Sequence, residues 1–401
     1  MKIKSVRAVN INFPRPSVKT KPWRDSWNKY APRILPINKY PQFSKIPSKI
    51  PGLGGGEVWV QITVENGQWG LGRCSFGQPV ANLIDFHLAP LLEGQDCFSI
   101  EYLNDLMYRS NARLGTGLTN VAQSGIDLAL WDLKGKLLDL PVYKLIGGPS
   151  RDHIELYSTG DDLDWYIELG FKSFKITNPA HYEMGIKGLD LVEKRVTDAR
   201  ELIGNSSELM INAVMSYNTE FTIRLAERLR KYEIRWIEEP LIPHDIDGLI
   251  SIKKSAPWMP IATGEDHRGR HSFKQMIEAK CVDVVQPDIN WVGGLTETLK
   301  IYNLAETSGI ITIPHGGANS PFGQHFAFAM PESPFAEFHM GFDPGIPLEE
   351  LPYTPGMALP IDGKIIPSDA PGFGIEIKED NIEPWDHSKT IYSSGHAGYA
   401  S

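Results

Sequence analysis

Cysteine is scarce in this chain: three residues in 401, Cys74, Cys97 and Cys281, far apart and in no metal-ligand spacing. An odd, sparse set excludes a disulfide framework and suits a reducing compartment. No apolar run approaches the roughly 20 residues that a membrane span needs. The N-terminus, MKIKSVRAVNINF, alternates like a strand and has no apolar signal-peptide core. Positive charge is short too. The 40 Lys and Arg against 49 Asp and Glu leave a net charge of −9, which argues against the basic footprint of a nucleic-acid binder. The expectation is a soluble, cytoplasmic protein with neither a nucleic-acid nor a membrane partner. With 41% hydrophobic residues the chain can bury a proper core, which excludes a disordered or fibrous class.

What the chain does have is a series of short apolar runs between Ile211 and Glu337, each closed by a polar residue. The closers are Asn212 (LMIN), Glu238 (RWIEEP), Glu265 (PIATGE), Asp288 (VDVVQPD), His315 (IITIPH) and Glu337 (FAEF). By subtraction they lie 26, 27, 23, 27 and 22 residues apart, about the chain needed for a strand, a helix and two short loops. Short runs buried on both faces are the pattern of a parallel sheet. Residues at the C-terminal ends of successive barrel strands converge on one mouth, where barrel enzymes keep their chemistry.

The flanks of this series organise the rest. Residues 1–13 and 57–72 read as strands, with a hairpin at Asn66-Gly67, and residues 80–148 read as helical. We therefore expect an α+β domain over 1–150 and a TIM-type barrel over 151–340. A C-terminal segment, 341–385, would return to the first domain through PGFGIEI, leaving a tail, 386–401, disordered or at a subunit contact. Between the first strands, residues 14–56 form a loop with nine Lys or Arg and one acid, Asp25. It reads either as a solvated excursion or as a basic lid over an anionic ligand, with Arg33 a candidate contact.

Asn212, Glu238 and Glu265 offer only hard oxygen donors, which suit Mg²⁺ or Mn²⁺. Any one alone could be a strand-end residue in a local contact; three in register on consecutive strands argue for a metal site. Asp288 can fix the tautomer of His315 and raise its basicity, which makes a general base. Lys175, at the end of the second barrel strand, can set a positive charge against a substrate carboxylate or enolate. His267, two residues past Glu265, is a further candidate for substrate contact.

The stretches IDLALWDLKGKLLDLPVYKLIGG, RWIEEPL, ATGEDH, VVQPDINWVGGLT, IPHG, FAEF and PGFGIE resemble the enolase superfamily, most closely its L-rhamnonate dehydratase group of acid-sugar dehydratases. The resemblance runs from about residue 120 to 375. It implies an α/β fold: an enolase-like modified TIM barrel of the β7α type, with an N-terminal α+β capping domain completed by the C-terminal segment. It also implies metal ligands at 212, 238 and 265, a His315–Asp288 dyad, and Glu337 as an acid hydrogen-bonding the substrate carboxylate or enolate. A homo-oligomer, commonly an octamer, is implied as well.

The activity implied is Mg²⁺-dependent dehydration of an aldonate to a 2-keto-3-deoxy sugar acid. His315 removes the α-proton and then protonates the departing 3-hydroxyl; the use of Mg²⁺ to stabilise an enediolate is a stated property of this superfamily. Racemases of the superfamily carry a second base, the last lysine of Lys-x-Lys. Here the stretch is Lys175-Ile176-Thr177, which favours one-base chemistry. Two positions depart from the family pattern. Asn212 stands where an aspartate is usual, lowering the ligand charge from −3 to −2, and Asp266 stands where the rhamnonate enzymes carry histidine. The alternatives are an epimerase or lactone isomerase at the same site, or a catalytically impaired sugar-acid-binding homologue.

Overall fold

The computed structural model describes residues 1–13, 16–29, 34–40, 42 and 56–388. Arg33, the candidate substrate contact, and the tail from 389 onward lie outside the described residues.

Two sheets organise the chain. The first is antiparallel, in the order β13-β1-β2-β3, and contains β1 (Ile3–Ile11), β2 (Val58–Val64) and β3 (Trp69–Cys74). Its hairpin turns at Asn66-Gly67, where Gly67 takes the left-handed φ of 87° such turns require. The long helix Leu118–Leu138 packs across it. The approach is close enough that a Cβ on Gly72 would lie 2.0 Å from the Gly125 carbonyl oxygen, so position 72 must stay bare. At PGFGIEI the C-terminal segment meets the helix Leu118–Leu138 and the turn after it. The segment PGFGIEI adds no strand, because Gly372 and Gly374 turn it with φ of 73° and 68°, and Phe373 instead donates its N–H to Asp132. The added strand is β13 (Ile382–Pro384), antiparallel to β1 through Val9, Asn10 and Ile11.

The second sheet carries eight parallel strands: β4 (Ile154–Thr159), β5 (Ser173–Thr177), β6 (Glu208–Asn212), β7 (Trp236–Glu238), β8 (Ile261–Thr263), β9 (Val284–Val285), β10 (Ile311–Thr312) and β11 (Phe335–His339). They pair in sequence from β4 to β10, and β11 returns to pair with β4. A short β12 (Lys364–Ile365) lies antiparallel to β4. Seven helices alternate with the eight strands, the β7α arrangement of the enolase-like barrel. Local chemistry starts several of them: the side chains of Asn218, Asp245 and Ser320 each accept a backbone N–H of the first turn, as helix caps do.

Inside the sheet Tyr157, Met210, Trp236, Ala262, Val284 and Ile313 form a dry floor. Tyr157 and Trp236 meet edge to face with ring centroids 5.7 Å apart. The sequence closers sit above this floor. Asn212 and Glu238 end their strands, Glu265, Asp288 and His315 lie just beyond theirs, and Glu337 lies within β11. Among the described residues no helix is long and apolar enough to cross a membrane.

Candidate active site

Alternation places Lys175, Glu238 and Glu337 on the inner face of the parallel sheet, where all three are buried. Lys175 Nζ lies 2.5 Å from Glu238 Oε1 and 2.7 Å from Glu337 Oε1. Burial by itself would lower the lysine pKa, but the two carboxylates outweigh it and hold the ammonium well above its ordinary range. Glu337 shows the mirror effect. Burial raises it, yet Lys175, His315 and the Gly316 N–H keep it well below the carboxylate range. Thr159 Oγ1 also donates to Glu337, at 2.5 Å.

Glu238 is more heavily bonded. Oε1 accepts from Lys175 and from Asn212 Nδ2 at 2.7 Å; Oε2 accepts from Gln286 Nε2 at 2.7 Å and Trp236 Nε1 at 3.2 Å. Asn212 thus brings its nitrogen to the cluster, and its oxygen accepts the Val214 N–H at 2.7 Å.

The expected dyad is assembled. His315 Nδ1 lies 2.8 Å from Asp288 Oδ2, and Asp288 Oδ1 is fixed by the Asn290 N–H at 2.7 Å. Nε2, left facing the mouth, lies 3.2 Å from Glu265 Oε1. Burial would lower the imidazole pKa, but Glu265, Asp288 and Glu337 together hold it well above the ordinary value. Glu265 goes the other way: burial, with Asp266 and Glu238 adding and His315 opposing, pushes it up to about 7.

Not every sequence candidate joins this cluster. His267 is buried, and its ring packs against Phe273 at 5.8 Å. Burial pushes its pKa down to about 4, and its charged neighbours are Arg268 and His244. Among the described residues it makes no ion pair or hydrogen bond with the cluster. Three cations of the basic loop are paired among the described residues. Arg24 pairs with Asp162 and Asp164, Lys29 with Asp25 and Asp343, and Lys39 with Glu183. These charges fasten the loop chiefly to acids of the barrel, so they are not held free for an anion.

Three contributors escaped the sequence reading. Gln286 sits in VVQPD, one residue past its strand, with nothing in its type to announce a partner for Glu238. Glu239, the second acid of RWIEEP, is 2% exposed, with φ of 42° and no partner for Oε2. Burial, then Glu265, Asp266 and Glu238, hold it well above the carboxylate range. The doubled acid was the signal available. Trp291 lies against His315, tilted by 38° with centroids 5.6 Å apart, while its Nε1 donates to Ser75 Oγ at 3.0 Å. Ser75 follows β3, so the antiparallel sheet's edge braces the lid of the base.

Glu238, Glu239, Glu265 and Asp266 are four acids in sequence-adjacent pairs on neighbouring strands, and one buried carboxylate oxygen has no partner. Such oxygen-rich, charge-deficient surroundings fit a cation in kind. Among the described residues, however, no three His, Cys, Asp or Glu side chains are gathered so as to hold one.

Comparison with known proteins agrees with this geometry. Residues 161–381 match the enolase C-terminal domain-like family, and residues 56–147 match the N-terminal domain of mandelate racemase and muconate lactonizing enzyme. The chain is 34% identical over 359 residues to L-rhamnonate dehydratase of Saccharopolyspora erythraea, covering 88% of this chain and 91% of that one. It is similar to the crystal structure of L-rhamnonate dehydratase from Gibberella zeae, with 30% identity, a TM-score of 0.84 and 96% of each chain covered. The crystal structure of the rhamnonate dehydratase from the same organism complexed with Mg gives a TM-score of 0.83 at 30% identity, again over 96% of each chain. With its mandelate-racemase-type N-terminal domain and its eight parallel strands presenting a His–Asp pair and buried acids, the chain belongs to the enolase superfamily.

Proposed function

We propose that this protein is a sugar-acid dehydratase that converts an aldonate of the L-rhamnonate kind to its 2-keto-3-deoxy acid, with Mg²⁺ held at Glu238 and Glu265. The observation that carries the reading is the asymmetry of the proton-transfer groups. His315 is oriented by Asp288 and presents Nε2 to the mouth. Lys175 is bound into Glu238 and Glu337, and Thr177 is bonded to Asp161 at 2.6 Å. One mobile proton on one histidine suits a reaction that removes a proton and returns it to a leaving group.

Bound at these carboxylates, Mg²⁺ supplies Lewis-acid stabilisation of the negative charge that develops as the α-proton leaves. The chain's own groups do the rest. His315 Nε2 accepts the α-proton, Asp288 stabilises the imidazolium that forms, and the same nitrogen then donates to the 3-hydroxyl as it departs as water. Lys175, held charged, attracts the substrate carboxylate, and Glu337 accepts a hydrogen bond from the enol. Glu265 Oε1 lies 3.2 Å from His315 Nε2, so a cation held by Glu265 would draw that carboxylate from the base.

The test is turnover of the full chain with Mg²⁺ on aldonic and aldaric acids, L-rhamnonate first, with 2-keto-3-deoxy product read by semicarbazide. Product from the parent chain supports the reading. Exchange of the α-proton with deuterated solvent without loss of water would replace it with epimerisation or lactone isomerisation. Turnover only after Asn212→Asp would mark a naturally impaired, sugar-acid-binding homologue.

A further inference from the structure

We infer that Asn212 is not an oxygen ligand but a hydrogen-bond donor that braces Glu238, so that a divalent cation at this mouth is held by two protein carboxylates instead of three. The inference rests on the metal site proposed above and concerns how this chain departs from it.

The argument begins with the backbone after β6. Val214 and Met215 both take left-handed conformations, with φ of 47° and 56°. Neither is glycine, and such a bend in a β-branched residue persists only where its surroundings impose it. They do: Ala213 donates to the Glu238 carbonyl at 2.8 Å and Met215 to the Glu239 carbonyl at 2.7 Å, stitching the bend to the end of β7. The bend aims the Val214 N–H back at side chain 212, whose Oδ1 accepts it at 2.7 Å. The position therefore demands an oxygen for the backbone before anything else.

An aspartate meeting that demand would keep a second oxygen for a cation. Asparagine keeps an NH2, which has no lone pair to coordinate with, and the second lone pair of an oxygen already turned to Val214. Here that NH2 donates to Glu238 Oε1 at 2.7 Å. Turning the amide over would set N–H against N–H at Val214 and oxygen against carboxylate at Glu238, losing both bonds with no replacement. The remaining bonds of Glu238 point the same way. Lys175 shares Oε1 with Asn212, while Gln286 and Trp236 fill Oε2. Asn212 is thus one of four N–H donors on Glu238, of which a cation would displace at least one.

The experiment is direct titration of Mn²⁺, read by electron paramagnetic resonance, on the full-length parent and on Asn212→Ala, Asn212→Asp, Glu238→Gln and Glu265→Gln. Circular dichroism reports whether each remains folded. The expected result is that Asn212→Ala weakens Mn²⁺ binding less than Glu265→Gln does, since a brace and not a ligand is lost, while Asn212→Asp tightens it by about tenfold or more. Asn212→Asp should also lower the melting temperature in chelator by setting two carboxylates together, with Mn²⁺ restoring it. A loss in folded Asn212→Ala as large as that of Glu265→Gln would overturn the inference and leave the function standing, as would unchanged affinity in Asn212→Asp. No binding by either Asn212→Asp or the parent would overturn both. If Glu238→Gln and Glu265→Gln both bind Mn²⁺ as the parent does, the cation is not held at this mouth, and the proposed function and the inference fall together.

Discussion

Two acid clusters at strand ends of the same parallel sheet have opposite characters. Beyond β4, Asp162 is wholly buried, yet it accepts from Arg24 Nη1, Ser26 Oγ, the Trp27 N–H and Asn28 Nδ2, all from the loop between β1 and β2. Beyond β7 and β8, Glu239 keeps an oxygen with no partner, and Glu265 is pushed up to about 7. Both clusters are buried acids, so burial alone does not mark function. What separates them is donor supply. A structural carboxylate is given its hydrogen bonds by the chain, and the site is left short of positive charge, which a cation and a substrate can complete.

The comparison breaks most sharply at the base. His315→Asn should lower turnover on any accepted aldonate by about 10²–10⁴-fold with an unchanged far-ultraviolet spectrum. Retention of activity within tenfold of the parent would show that the charge-deficient cluster is not the catalytic one.

The balanced cluster should respond in stability. Asp162→Ala strands an arginine and three other donors, and we expect a loss of about 2–4 kcal/mol, measured by urea unfolding. A loss no larger than that of an exposed pair such as Arg109–Asp105 would erase the distinction drawn here.

Within the deficient cluster the effect should reverse. Glu239→Gln removes a buried carboxyl that lacks a partner, so the metal-free protein should gain about 1–2 kcal/mol. The pH dependence has a definite sign. Glu265, with an ordinary pKa of 4.5, is raised to about 7 in the fold. It contributes stability that is fully present below about 4.5 and is lost as the pH climbs to about 7. Melting in chelator should therefore fall across that window more for the parent than for Glu265→Gln, and parallel curves would refute the assignment.

The smallest expected effect concerns the brace on the base. Ser75→Ala deletes one neutral hydrogen bond to Trp291, about 0.5–1.5 kcal/mol. We expect a few-fold fall in kcat with little change in KM, and faster modification of His315 by diethyl pyrocarbonate. Unaltered reactivity of His315 would mean that Trp291 is held without help from Ser75.

Particular residues show how far the sequence could be read. The spacing from Asn212 to Glu337 placed all six closers at one mouth, because a parallel strand–helix repeat returns each strand end to the same side whatever its side chains are. The dyad was legible for the same reason: Asp288 and His315 fall at equivalent points of neighbouring repeats. Gln286 was not, since an amide near a strand end carries no period and no charge. Nor was the fate of the basic loop. Its net charge is a local property, but its partners, Asp162 at 138 residues from Arg24 and Asp343 at 314 from Lys29, are brought near only by the fold.

The sequence by itself thus determined the architecture, the ring of candidate residues and the oxygen-rich chemistry, all of which follow from periodicity and residue type. Tertiary structure alone decided how each group is used. It pinned the Asn212 oxygen to Val214 and gave its nitrogen to Glu238, seated His267 against Phe273, and left Glu239 without a partner. Those outcomes depend on which donors reach which lone pairs, a matter of distances between segments far apart in the chain.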